Sequence, residues 1–82
     1  MATSPPNKHI LDARRMLCPM PVIRTQEMIA TLKAGEQVQV ECTDPGVIYD
    51  IPAWAKVHGH KVIDTREDDY EYFVVLEVGE ES

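Results

Sequence analysis

Long hydrophobic runs are absent from this chain of 82 residues, although apolar residues make up 44% of it. No apolar segment approaches the roughly 20 residues that a membrane-spanning helix needs. The first residues also lack the charged and apolar regions of a signal peptide. The sequence therefore predicts a soluble, cytoplasmic protein with no membrane association.

Cysteine is scarce, since only Cys18 and Cys42 occur. Small secreted domains usually carry more cysteines at framework spacings, so we expect both thiols to be free. The chain has no CxxC pair and no Cys and His cluster with zinc-ligand spacing. His58 and His60, in the segment HGH, are expected to be two surface imidazoles in a turn. We accordingly predict no metal and no cofactor.

Basic residues are outnumbered, and the formal net charge is −6. A general nucleic-acid binder needs a positive field around the phosphates, so direct nucleic-acid binding is not expected. The charge is uneven, because residues 8–33 hold five basic and two acidic residues, whereas residues 34–82 hold three and twelve. A basic patch on an acidic protein indicates a specific acidic partner or anion, or simply an ordinary surface with uneven charge.

Apolar periodicity predicts a single domain over residues 8–79, with a flexible tail at 1–7 and a frayed end at 80–82. Strands are predicted at 8–13, 37–43, 60–67 and 70–78, and helices at 18–32 and 50–58. The order β-α-β-α-β-β predicts an α+β fold, a two-layer α/β sandwich with two helices on one face of a four-stranded mixed sheet. The other sheet face is expected to be partly open.

The strongest local pattern is QVQVECT, whose alternation predicts Val38, Val40 and Cys42 on the core side of a strand. The second helix is predicted to begin at Asp50, because Pro52 then falls in the first turn, where its missing N–H costs little. Residues 68 and 69 are predicted to form a two-residue hairpin turn. The remaining inner faces are predicted from spacing: Val22, Ile23, Thr25, Met28, Ile29 and Leu32 in the first helix; Ile51, Trp54, Ala55 and Val57 or His58 in the second; Tyr70, Tyr72, Val74, Leu76 and Val78 in the last strand.

Cys18 is the candidate reactive residue. A helix that begins at Cys18 places Pro19 and Pro21 in its first turn, where they fix φ without breaking the helix. The positive end of the helix dipole, with Arg14 and Arg15 upstream, would favour the nucleophilic thiolate. Pro21 occupies the place of a resolving cysteine, so a sulfur atom bound to Cys18 would persist until another molecule accepted it. The alternative is a small buried cysteine at a helix start.

Two segments, LDARRMLCPMP (Leu11–Pro21) and TDPGVIYDIPAWAKVHGH (Thr43–His60), resemble the TusA/SirA-type sulfur carriers. The resemblance implies that Cys18 holds sulfane sulfur as a persulfide, with Pro19 and Pro21 as its scaffold. It implies that Asp44, in the Asp-Pro turn, helps partner contact or transfer. The implied partners are a sulfur-donor protein (a cysteine desulfurase or a rhodanese-like protein) and a sulfur-acceptor protein in tRNA thiolation, molybdenum-cofactor maturation or sulfur oxidation.

One position departs from the family pattern, which usually has glycine three residues before the cysteine. This chain has Arg15 there, so the loop is expected either to be strained or to adopt another conformation. Besides a monomeric sulfurtransferase acting as a carrier, two readings stay open. One is a non-catalytic interaction or regulatory module; the other is a redox protein that joins Cys18 to Cys42.

Overall fold

The computed structural model describes residues 8–17 and 20–79. The predicted tail over 1–7 and the predicted frayed end over 80–82 lie outside the described residues. Six elements follow in the predicted order: β1 (Lys8–Ala13), α1 (Met20–Ile29), β2 (Gln37–Cys42), α2 (Val47–Val57), β3 (Lys61–Asp68) and β4 (Glu71–Glu77). The predicted α+β fold is confirmed.

The sheet is mixed, with strand order β1-β2-β4-β3. β1 runs parallel to β2, and β4 is antiparallel to both β2 and β3. Ala13 lies opposite Cys42, and Cys42 lies opposite Tyr72, so β1 and β2 end where β4 begins. We call this end of the sheet, marked by those three residues, the carboxyl edge. Both helices begin there, because each directly follows β1 or β2 in the chain.

The core lies between the sheet and the two helices. On the sheet side of the core, β2 follows the predicted alternation: Val38, Val40 and Cys42 are fully buried. The helices contribute Ile29 from α1 and Ile51 from α2. Neither helix covers the other sheet face, where Ile10 and Ile63 are exposed, as predicted. No helix in the described part of the chain is long and apolar enough to cross a membrane.

The start of α2 differs from the prediction. The helix begins at Val47, with Gly46 as its N-cap, and Pro52 lies inside it. Asp50, expected to be the cap, instead donates its backbone N–H to the Gly46 carbonyl oxygen at 3.0 Å. Val47 and Ile51, one turn apart, are both buried. Their apolar burial outweighs the single hydrogen bond that the proline removes.

Helix α1 is shorter than predicted and its inner face is shifted. It spans Met20–Ile29, and i→i+3 hydrogen bonds continue for one further turn to residue 32. Ile23, predicted on the inner face, is 39% exposed, whereas Pro21 is fully buried. The sequence predicted Pro21 only as a scaffold for Cys18, whereas the structure shows that Pro21 also packs in the core.

The β3–β4 hairpin is confirmed, but its turn lies one residue later than predicted. Asp68 pairs with Glu71, which leaves Asp69 and Tyr70 in the turn with φ of 53° and 68°. Positive φ at both positions is the type I′ geometry that matches the twist of a two-residue hairpin. Tyr70, predicted on the apolar face of β4, is consequently 82% exposed.

His60 is also placed differently from the prediction, because it is only 6% exposed. Its Nδ1 accepts the Gly79 N–H at 3.0 Å, and its ring stacks on Trp54 with centroids 5.3 Å apart. His58 remains on the surface. His60 therefore ties the end of β4 to α2 and is a structural residue.

Candidate functional site

The predicted reactive residue, Cys18, comes after β1 (Lys8–Ala13) and before α1 (Met20–Ile29) in the chain. Cys18 and Pro19 themselves lie outside the described residues, so their assignments stay predictions. The residues on either side are described. Leu17 is 76% exposed and Met20 is 37% exposed, and the Met20 N–H donates to the Leu17 carbonyl oxygen at 2.8 Å. Two solvent-facing apolar side chains therefore flank the motif cysteine in sequence.

The first turn of α1 is fixed by packing and by a side-chain hydrogen bond. Pro21 is fully buried, and the buried Thr25 hydroxyl donates to the Pro21 carbonyl oxygen at 2.8 Å. No acidic residue lies in that first turn. The positive end of the α1 dipole is therefore not compensated by a carboxylate of its own first turn.

Arg14 is bound by carboxylates. Its Nε donates to Asp12 Oδ1 at 2.9 Å and its Nη2 to Asp12 Oδ2 at 3.1 Å. A second carboxylate, Glu71 on β4, lies 3.7 Å from Arg14 Nη1. The side-chain hydrogen bond from Arg14, with one from its backbone N–H, lowers the pKa of Asp12 to about 2. The positive charge of the Arg14 guanidinium is therefore largely compensated by the Asp12 and Glu71 carboxylates.

Arg15 has a different environment. Its backbone adopts φ of 69°, and its N–H donates to the Thr43 hydroxyl oxygen at 2.9 Å. Of the two expected outcomes, strain or another loop conformation, the structure shows strain. A residue with a side chain is disfavoured at positive φ, whereas glycine adopts it freely. Its side chain is exposed and forms no ion pair with any residue of 8–17 or 20–79.

These residues line a cleft of about 420 Å³ at the carboxyl edge, formed by Asp12, Arg14, Arg15, Thr43 and Glu71. Sequence reasoning found the two arginines but missed Asp12, Thr43 and Glu71 as site residues. Thr43 directly follows β2 as Arg14 directly follows β1, so the parallel pairing of the two strands was the available signal. Glu71 comes from β4, and no local pattern connects it with Arg14.

Asp44 shapes the turn that precedes α2. Its Oδ1 accepts the Gly46 N–H at 3.0 Å, and its carbonyl oxygen accepts the Val47 N–H at 3.1 Å. This Asx turn occupies one carboxylate oxygen and starts the helix. Asp44 is half-buried and lies at the same edge of the sheet as Arg14 and Arg15. Its predicted part in partner contact or transfer stays a prediction.

Cys42 is fully buried in the core. Burial, with smaller effects from Asp44 and Asp12, raises the pKa of the Cys42 thiol to about 12. A thiol that stays protonated at neutral pH is a poor nucleophile, which argues against a redox pair with Cys18. Across residues 8–17 and 20–79, no three His, Cys, Asp or Glu side chains are grouped to bind a metal.

Comparison with known proteins agrees with the fold and with the motif. A profile of the family described as sulfurtransferase TusA matches residues 9–78. A SirA-like protein from Desulfitobacterium hafniense superposes with a TM-score of 0.77 at 27% identity, covering 88% of this chain and 99% of that one. The sulfur carrier protein TusA of Allochromatium vinosum is 29% identical over 66 residues, covering 80% of this chain and 87% of its own.

A longer relative matches as well. The Bacillus subtilis protein provisionally named sulfur carrier protein YrkF is 41% identical over 59 residues, or 72% of this chain. The match covers only 32% of YrkF, so this chain corresponds to about a third of that relative. The profile match extends over nearly the whole of this chain. The resemblance seen in the two sequence segments is thereby confirmed: the chain belongs to the sulfurtransferase TusA family of sulfur carriers.

Proposed function

We propose that this protein carries sulfane sulfur as a persulfide on Cys18 and delivers it to an acceptor protein. The observation that carries the proposal is the family match over residues 9–78, which contains the Cys-Pro-Met-Pro segment. The exposed flanks at Leu17 and Met20 support it, because a carrier must present its sulfur to two different proteins.

The loading step balances without an added oxidant. The Cys18 thiolate attacks the outer sulfur of a donor persulfide and forms a new S–S bond. The S–S bond of the donor breaks, and the donor leaves as a thiolate that takes up the proton released by Cys18. Delivery repeats the step, with a nucleophile of the acceptor attacking the outer sulfur held on Cys18.

The absence of a resolving thiol makes a carrier more suitable than an oxidoreductase. The residue three positions after Cys18 is Pro21, which is buried in the core. The other cysteine, Cys42, is buried, and its pKa is raised to about 12. Neither position supplies a thiolate that would displace the sulfur from Cys18, so the persulfide waits for an external acceptor.

The partners we propose are proteins on both sides of the relay. The donor is a cysteine desulfurase or a rhodanese-like protein, and the acceptor belongs to tRNA thiolation, molybdenum-cofactor maturation or sulfur oxidation. The net charge of −6 disfavours direct binding to nucleic acid, so a tRNA pathway would be served through a protein. We propose a monomeric carrier in the cytoplasm.

A desulfurase assay tests this proposal. The protein is incubated with a cysteine desulfurase and cysteine radiolabelled on sulfur, then separated under non-reducing conditions. We expect label that dithiothreitol removes, that is lost in Cys18→Ser and that is kept in Cys42→Ser. If Cys18→Ser keeps the label, the sulfur is held by another residue and the role of Cys18 is wrong. If Cys18→Ser loses the label but keeps its partner binding and its function in the cell, the non-catalytic interaction module is the better description.

A further inference from the structure

The unmatched positive charge at the carboxyl edge belongs to Arg15. Its neighbour Arg14 is held by Asp12 through two side-chain hydrogen bonds and lies 3.7 Å from Glu71. Arg15 forms no ion pair within the part of the chain that the structure describes, and its charge reaches Asp12 only as a weak longer-range effect. Arg15 lines the 420 Å³ cleft, and its guanidinium has no ion-pair partner among the described residues.

The loop conformation holds Arg15 at this cleft. The backbone at φ of 69° is disfavoured for any residue with a side chain, yet the Thr43 hydroxyl accepts the Arg15 N–H and keeps that conformation. Thr43 lines the same cleft. Backbone strain that the surroundings maintain is often associated with binding and catalysis, and here it coincides with an unmatched charge three residues before Cys18.

The cleft favours a particular ligand chemistry. A guanidinium presents paired N–H donors that match a carboxylate. Asp12 and Glu71 also line the cleft, so a polyanion such as a phosphate chain would meet their repulsion. A ligand with a single carboxylate meets less of this repulsion than a polyanion does.

We infer that Arg15 is a specificity residue, which favours sulfur donors that carry a carboxylate beside their reacting sulfur. The inference rests on the proposed function and adds the chemistry of the donor to it. The sulfur transfer itself is unchanged: the Cys18 thiolate takes the outer sulfur and the donor leaves as a thiolate. Arg15 contacts only the carboxylate of the donor.

Three small persulfides of similar size separate the effect of charge. They are the persulfides of 3-mercaptopropionate, 2-mercaptoethanol and cysteamine, whose substituents are anionic, neutral and cationic. Initial rates of sulfur addition to the protein are measured by intact mass at low ionic strength. The readout is the ratio of the anionic-donor rate to the neutral-donor rate, which cancels any general change in Cys18 reactivity.

We expect this ratio to fall about two- to five-fold in Arg15→Gln, the effect of losing one exposed ion pair. Arg15→Lys should retain most of the ratio, and the ratio in the unchanged protein should decrease as salt screens the charge. Arg66→Gln is the matched control, because it removes the same charge from β3, where Arg66 lies 3.6 Å from Asp64. The ratio should be unaffected in this control.

The outcomes separate the inference from the proposed function. Sulfur addition to Cys18 with the same donor ratio in the unchanged protein and in Arg15→Gln would overturn the role of Arg15 while leaving the carrier function intact. An equal loss of the ratio in Arg66→Gln would also overturn it, since the effect would then be one of net charge. No sulfur addition from any of the three donors would contradict the proposed function, and this inference with it.

Discussion

Replacing Arg15 with glycine should make the protein more stable, although the substitution removes a large side chain. The backbone at Arg15 has φ of 69°, a region in which a Cβ approaches the neighbouring carbonyl oxygen. Glycine has no Cβ and adopts this conformation freely. The lost side chain is exposed and forms no ion pair in residues 8–17 or 20–79, so its removal should cost little.

The size of the effect follows from two opposing contributions. A non-glycine residue in the left-handed region costs about 1–2 kcal/mol. Glycine loses about 0.5–1 kcal/mol more conformational entropy on folding. The central values of these ranges differ by a stabilisation of about 0.75 kcal/mol. Since a domain of this size shifts by about 4–8 °C per kcal/mol, the melting temperature should rise by roughly 3–6 °C.

Urea unfolding provides the assay, because Trp54 is the single tryptophan and contacts the core from α2. The midpoint should rise in Arg15→Gly with an unchanged m-value. Arg15→Ala is the matched control, since it removes the same guanidinium but keeps a Cβ at positive φ. Its stability should stay within about 0.5 kcal/mol of the unchanged protein. If the alanine and glycine variants were equally stable, the strain argument for this loop would be refuted.

Three other predictions concern the core, the ion pair and a close backbone approach. Cys42 should resist alkylation at pH 8 in the folded protein and react only on denaturation, as thiol titration with and without urea would reveal, because burial raises its pKa to about 12. The Asp12 carboxyl should titrate near pH 2 by NMR, and its pKa should return towards the ordinary value in Arg14→Gln. The contribution of this ion pair to stability is complete above the ordinary pKa of an aspartate and is lost as the pH falls through about 2. Gly79→Ala should destabilise the fold by about 1–3 kcal/mol in thermal melting, because the new Cβ would overlap the backbone carbonyl of the α2–β3 turn. Gly46→Ala is its control, as the Cβ there meets only ordinary contacts of 3.6 and 3.7 Å; equal losses in the two alanine variants would contradict this explanation.

The strands were the most predictable part of the fold. β2 alternates with period two, and the structure buries Val38, Val40 and Cys42 as that pattern requires. The polar turn predicted the β3–β4 hairpin correctly, but the predicted position of the turn was one residue too early. The type I′ turn takes its two residues from Asp69 and Tyr70, and the tyrosine leaves the apolar face because the turn geometry outweighs its hydrophobicity.

The helix ends were less predictable because they depend on tertiary packing. Pro52 made a start at Asp50 the lowest-cost local solution, yet burial of Val47 and Ile51 extends α2 to include the proline. His60 was assigned to the surface, since neither its contact with Trp54 nor its hydrogen bond from the end of β4 has a signature in the local sequence.

The candidate site was predictable where it depends on chain order and unpredictable where it depends on long-range pairing. The requirement for glycine at position 15 was anticipated, and Arg15 does lie at positive φ. The neutralisation of Arg14 was not anticipated, because Glu71 is 57 residues away in the chain and only the β2–β4 pairing brings it near. The sequence therefore predicted two equivalent arginines, whereas the structure distinguishes them.

The carrier role of Cys18 is tested most directly by measuring where a sulfur atom attaches. The protein is incubated with inorganic polysulfide, and its intact mass and its peptides are then determined without reduction. We predict one added sulfur atom on the peptide that contains Cys18, retained in Cys42→Ser, lost in Cys18→Ser and removed by dithiothreitol. A sulfur atom on Cys42, or an unmodified protein with both cysteines reduced, would contradict the account.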